Sequence, residues 1–102
     1  MDYKTDIAKY TGSINDKAVD AIVKFCGIAL QSRDASLVAC TDEAEVDRIR
    51  KGFATKVLGL GEAESDKLIK SVCEKMKADK TKHRVTFYYL MAEASGKVGA
   101  LA

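Results

Sequence analysis

Residues Thr81 to Ser95 read TKHRVTFYYLMAEAS, and this stretch decides the fold. Placed on a helix at roughly 100° per residue, Val85, Phe87, Tyr88, Tyr89, Leu90, Met91, Ala92 and Ala94 spread over most of the circumference. A narrow strip through Lys82, Thr86 and Glu93 is left polar. A helix that is apolar nearly all round has to be buried nearly all round. The stretch therefore predicts a central helix with the other helices packed against it, capped at its start by Thr81 and ended by Gly96.

The rest of the chain supplies those partners. Asp2 to Tyr10 places Tyr3, Ile7 and Tyr10 on one side, and Gly12 suits a left-handed cap after it. Ser13 or Asn15 is positioned to cap a second helix, with Asp16 in its first turn. Its stripe is Ile14, Ala18, Ile22, Phe25, Cys26 and Ala29, and Gly27 either permits close helix approach or ends the helix. Leu30 to Thr41 is the least regular part, an interrupted turn followed by an apolar stretch, Leu37 to Cys40, that tucks into the core.

Thr41 or Asp42 opens a third helix. Asp42 and Glu45 stand at capping-box spacing, although Asp replaces the usual Ser or Thr. Val46, Ile49, Phe53, Val57 and Leu60 carry its core register, and Gly59 and Gly61 stop it. Glu62 to Ala78 forms a fourth helix with Leu68, Ile69, Val72, Cys73 and Met76 inward. In the third and fourth helices acids lead and bases follow, as the helix dipole prefers. The tail from Lys97 either docks Val98 and Leu101 or frays.

Composition agrees with this pattern. The chain has 102 residues, 47% hydrophobic and 31% charged, with no proline, and no strand-like alternation recurs. The expectation is an all-α protein: one helical domain over residues 1–102, a single compact bundle of about five helices with the last long helix central. The net charge of +2 is too small to imply nucleic acid by itself. No apolar run approaches the roughly 20 residues of a membrane span. Three cysteines, with no export signal at the N-terminus, predict reduced thiols in a cytoplasm.

Three stretches then carry a resemblance: Gly27-Ile28-Ala29-Leu30 running into Ser32-Arg33-Asp34-Ala35-Ser36-Leu37-Val38; Val72-Cys73-Glu74-Lys75-Met76-Lys77; and Arg84-Val85-Thr86-Phe87-Tyr88-Tyr89-Leu90. Together they resemble a family of small bacterial proteins of about this length, known as a domain of unknown function. The resemblance covers nearly the whole chain. It implies a compact helical bundle of bacterial origin and assigns no activity, cofactor or functional residue.

Two places stand out as candidate sites. The first is the cationic start of the central helix, Lys80, Lys82, His83 and Arg84, within the basic segment Lys75 to Arg84, where Asp79 is the one acid. Bases at a helix N-terminus oppose the dipole, and a broken local rule marks either function or a compensating partner. Backbone N–H groups plus bases suit an anion: phosphate, carboxylate or nucleic-acid backbone. The competing expectation is neutralisation by acids from another helix, with Asp42 to Asp47 as candidate suppliers. The second place is the loop Ser32, Arg33, Asp34 and Ser36, where the arginine fork suits carboxylate or phosphate. There the plainer reading is a turn capped by Asp34, with Arg33 on helix C-terminal carbonyls.

Other chemistry has little support. Cys26, Cys40, Cys73 and His83 are ligands of the right type for zinc, but their spacing forms no local knuckle, so no metal is expected. No catalytic constellation is legible, and Gly59-Leu60-Gly61 lacks the strand and surroundings of a dinucleotide loop. The leading expectation is a non-enzymatic, cofactor-free cytoplasmic helical protein acting through protein–protein contacts, as a homodimer or with an unknown protein partner. The alternative is anion or nucleic-acid backbone binding by Lys75 to Arg84. An enzyme built on His83 and Arg33 ranks last, and a membrane role is not expected.

Overall fold

In the computed structural model, residues 3–12, 14–27, 37–79 and 82–101 are described. Their helices are α1 (Tyr3–Ile7), α2 (Asp16–Cys26), α3 (Glu43–Ile49, continued by a π-helical segment Arg50–Val57), α4 (Glu62–Lys75), α5 (Arg84–Ala94) and α6 (Val98–Leu101). The fold is all-α, and its extents of 28 × 28 × 26 Å describe a near-spherical bundle. None of the described helices is long and apolar enough to cross a membrane.

α5 is the axis. Every residue from Arg84 to Ala92 is buried, and α1, α2, α4 and α6 all pack against it. Each fully buried Phe, Leu or Met contributes about 1.5–3 kcal/mol of hydrophobic stabilisation. Phe87, Tyr89, Leu90 and Met91 are all 2% exposed or less, so this one helix supplies a large share of the core. Thr86, expected on a polar strip, is fully buried. The burial is tolerated because its hydroxyl donates to the Asp6 carboxylate on α1.

The start of α5 differs from expectation. The N-cap position is His83, whose side chain makes no capping bond; Thr81 lies outside the described residues. His83 is extended, at φ −66° and ψ 133°, because it pairs antiparallel with Leu37. Val38 N–H donates to the Lys82 carbonyl at 2.8 Å beside it. This short pairing holds the chain extended until Arg84, so the helix begins there.

Other caps behave locally. Asn15 caps α2, its side-chain oxygen accepting from Ala18 N–H at 3.1 Å. α2 ends at Gly27, at φ +47° and ψ −119°, backbone that L-residues rarely adopt. α1 stops at Ile7, three residues short of Tyr10, and Gly12 is not left-handed: the Tyr10 and Thr11 N–H groups already donate to the Ile7 carbonyl and close the end. Phe25, expected in the buried stripe of α2, is 47% exposed. Val38 in the 37–40 stretch is buried and Cys40 packs half-buried against the core, whereas Ala39 is exposed.

α3 departs from the predicted α register. Asp42 caps it by accepting from Ala44 and Glu45 N–H groups, but Glu45 does not turn back to complete a capping box. Beyond Ile49 the helix widens to i→i+5 bonding, as in Leu58 N–H to the Phe53 carbonyl at 3.1 Å. The wider turn advances the buried face. Phe53, Ala54 and Leu58 are buried, while Val57 and Leu60 are only partly so.

α4 begins at Glu62 as expected and ends at Lys75, with Ile69, Val72 and Met76 inward. The tail docks rather than frays: Lys97 N–H donates to the Ala92 carbonyl at 2.8 Å, and Val98 and Leu101 pack against the core. The expectation of three reduced thiols is corrected. Cys40 and Cys73 form a disulfide, Cα–Cα 6.0 Å, and Cys26 is free and buried. The bundle brings two positions 33 residues apart within bridging distance, which spacing along the chain cannot reveal.

Candidate functional site

The first turn of α5 carries the densest polar geometry. Arg84 is only 6% exposed, and among the described residues its guanidinium is shared by Tyr88, Leu37 and Glu45. One nitrogen donates to the Tyr88 hydroxyl at 2.9 Å, one turn along the same helix. The other donates to the Leu37 carbonyl at 3.3 Å and to Glu45 Oε1 on α3. Glu45 Oε2 faces outward and accepts from Arg48 at 3.2 Å. A single carboxylate thus joins a buried base to a surface base. A base at a helix N-terminus is locally unfavourable; here the acid of a neighbouring helix compensates it.

The Tyr88 ring extends this network into the apolar core. It stacks on Phe53, centroids 4.2 Å apart at 12°, and Phe25 tilts against both rings at 5.4 and 6.2 Å. Burial raises the Tyr88 phenol pKa, with Arg84 opposing the rise. Burial lowers that of Arg84, but Tyr88 and Glu45 outweigh it and the guanidinium is held charged more firmly than usual. Burial also pushes the Cys26 thiol up to about 11, with Arg84 pulling the other way.

A second polar group lies where α1 meets α5. Asp6, 4% exposed, accepts from Thr86 and pairs with Lys9 at 2.9 Å. Tyr10 donates to Asp79 at 2.9 Å. Burial, reinforced by that bond to Asp79, pushes the Tyr10 phenol to about 12.

The remaining sequence-derived residues are placed as follows. Lys82 donates to the Asp79 carbonyl at 2.8 Å. His83 meets Tyr3 edge-on at 6.3 Å. Lys75 and Lys77 stand 4.0 Å from Glu93 and Glu74 respectively. Lys80 lies outside the described residues, as do Ser32, Arg33, Asp34 and Ser36. Of the described bases in this segment, Arg84 turns inward to Glu45, while Lys75 and Lys77 are exposed and Lys82 is half-buried.

A cleft of about 960 Å³ opens between α3 and α4. Cys40 and Cys73 form part of its wall, with Val46 and Ile69 as apolar floor and Lys70 among the charges at its edge. Arg50 spans the two helices, donating to Asp47 at 3.0 Å and touching Asp66 through Nε; Nε makes no aligned hydrogen bond, so the Asp66 contact is electrostatic. Sequence reasoning missed this cleft. It treated Cys73 as a core residue, and no local Cys-x-x-Cys signal exists to indicate otherwise. Among the described residues no three His, Cys, Asp or Glu side chains converge on a metal position.

Fold and site together define a small all-α protein built round a buried helix whose first residue, Arg84, is neutralised inside the bundle by Glu45. The chain belongs to a family described as protein of unknown function, DUF2853, whose family model matches residues 2–99. No curated protein matches it.

Proposed function

We propose that this is a non-enzymatic helical protein that acts through protein–protein contacts, first of all with a second copy of itself. The observation that carries the reading is Phe25. The residue is 47% exposed, yet its ring leans on the Phe53 and Tyr88 rings. A surface aromatic braced from behind loses little side-chain freedom on binding, which is why such residues anchor interfaces. Arg84 is occupied by Glu45, so the polar centre of the molecule serves the fold. A bacterial, cytoplasmic setting accompanies this reading; the Cys40–Cys73 bridge is the observation that bears against the cytoplasm.

Light scattering over a concentration series tests the proposal. Wild type is expected to self-associate, and Phe25→Ser to shift the equilibrium to monomer with an unchanged circular dichroism spectrum. A wild-type protein that stays monomeric throughout the series removes the self-association reading.

Anion or nucleic-acid backbone binding by the Lys75 to Arg84 segment is the second reading. Exposed Lys75 and Lys77 and half-buried Lys82 support it. Charge reversal at Lys77 and Lys82 is then expected to abolish polyanion binding at low salt, since such binding is dominated by phosphate neutralisation. Equal binding by the reversed variant ends it.

A further inference from the structure

The three cysteines divide into two kinds. Cys26 is buried on α2, 8% exposed, and is the free one. Cys40 and Cys73 are half-buried, joined to each other, and set in the wall of the cleft between α3 and α4. A bridge enclosed by a core is closed to exchange, because an attacking thiolate has to reach a sulfur. This bridge adjoins a space of about 960 Å³, within the range of small-molecule pockets. Charges of both signs border it: Arg50, Lys70 and Lys77 against Glu43, Asp47, Asp66 and Glu74. Neither sign of thiol reagent is strongly excluded by that wall.

We infer that Cys40 and Cys73 form a redox couple that exchanges with a low-molecular-weight thiol of the glutathione class, admitted through this cleft. A thiolate attacks one bridge sulfur. The Cys40–Cys73 bond breaks, a mixed disulfide forms, and the other cysteine leaves as a thiolate that takes a proton from water. A second thiol attacks the mixed disulfide, releasing the oxidised reagent and the second cysteine. Two electrons enter the protein, and the two protons it gains balance those lost by the two thiols.

The bridge also has a mechanical role. The segment from Leu37 to Asp42 is held to the start of α5 by the Val38 to Lys82 bond and by Arg84 on the Leu37 carbonyl. The disulfide ties the same segment to α4. Exchange therefore frees the 37–42 segment from this tie to α4 while its attachment to the start of α5 persists.

The test is native titration of the full chain with mixtures of reduced and oxidised glutathione, followed by alkylation and mass mapping. Cys40 and Cys73 are expected to become alkylatable together and reversibly, with Cys26 labelled only after denaturation. Cys73→Ser is expected to gain the mass of a single glutathione on Cys40 under oxidised glutathione. Three results overturn the inference: a bridge that opens only in denaturant, labelling of Cys26 ahead of the other two, or no bridge in the oxidised protein. If Cys73→Ser does not fold, the wild-type titration decides alone.

Discussion

Arg84 of α5 and Glu45 of α3 form a buried ion pair, with side chains 7% and 11% exposed. It joins the helix at the centre of the bundle to α3, which also meets it through the Phe53–Tyr88 stack. Removing one partner of a buried pair strands the other charge and costs about 3–5 kcal/mol. Glu45→Ala is expected to lose that much in urea unfolding. The double variant Glu45→Leu/Arg84→Met, with apolar groups of similar volume, is expected to recover most of it. A double variant as unstable as the single one would mean that the pair is net stabilising beyond its own desolvation.

Thr86 and Asp6 make a smaller link of the same kind between α5 and α1. Thr86→Val keeps the volume and removes the donor to a buried carboxylate. The expected loss is about 1–3 kcal/mol, measured as a lower urea midpoint with an unchanged slope. Because Lys9 also pairs with Asp6, the lower part of that range is expected.

Alkaline pH should destabilise the fold through Tyr10. Its pKa rises from 10.0 to about 12 in the folded state, so the folded form holds its proton more tightly than the unfolded form. The resulting stability is fully present below pH 10 and is lost as pH rises through about 12. Thermal melts along that range are expected to fall for wild type and to fall less steeply for Tyr10→Phe. Tyr3, Tyr88 and Cys26 shift in the same direction, so the variant retains some slope.

Gly27 and Gly12 should respond differently to alanine. A Cβ at either position meets nothing within 4 Å, which removes crowding from the comparison. Gly27 lies at φ +47°, where an L-residue costs roughly 1–2 kcal/mol. Gly27→Ala is expected to lose that amount in equilibrium unfolding, and Gly12→Ala to stay within about 0.5 kcal/mol of wild type.

The Cys40–Cys73 bridge closes a loop with a sequence separation of 33. Constraint of the unfolded chain by such a loop is worth about 4 kcal/mol. Cys40→Ala/Cys73→Ala is expected to melt well below the oxidised wild type and close to the reduced wild type. A melting point equal to that of the oxidised protein would show that the bridge adds nothing to stability.

Much of the architecture is legible in the sequence. The all-round apolar character of Val85 to Ala92 predicts burial on every side, and the structure has it buried on every side. Asn15 before Asp16 and Asp42 before Glu43 mark helix starts through capping and dipole chemistry that involves only neighbours in the chain. The competing expectation for the cationic segment, an acid from Asp42 to Asp47, is legible in charge balance alone; Glu45 lies in that range.

What local pattern does not contain is which residues meet across the bundle. Thr86 looks like a solvent-facing residue until Asp6 on another helix accepts from it. Phe25 looks like core until its neighbours leave one side of the ring open. Leu58 replaces Val57 inside because α3 widens against α4, and the change from i→i+4 to i→i+5 bonding has no marker in residue type. Cys40 and Cys73 have no motif, since their pairing depends on where two helices cross. The sequence by itself determined α1 to α5, some of their limits and the identity of the buried one, because periodicity and capping act over a few residues. Only the tertiary structure decided that Arg84 is spent on Glu45 and that two cysteines meet in a cleft, because those interactions act through space between segments far apart in the chain.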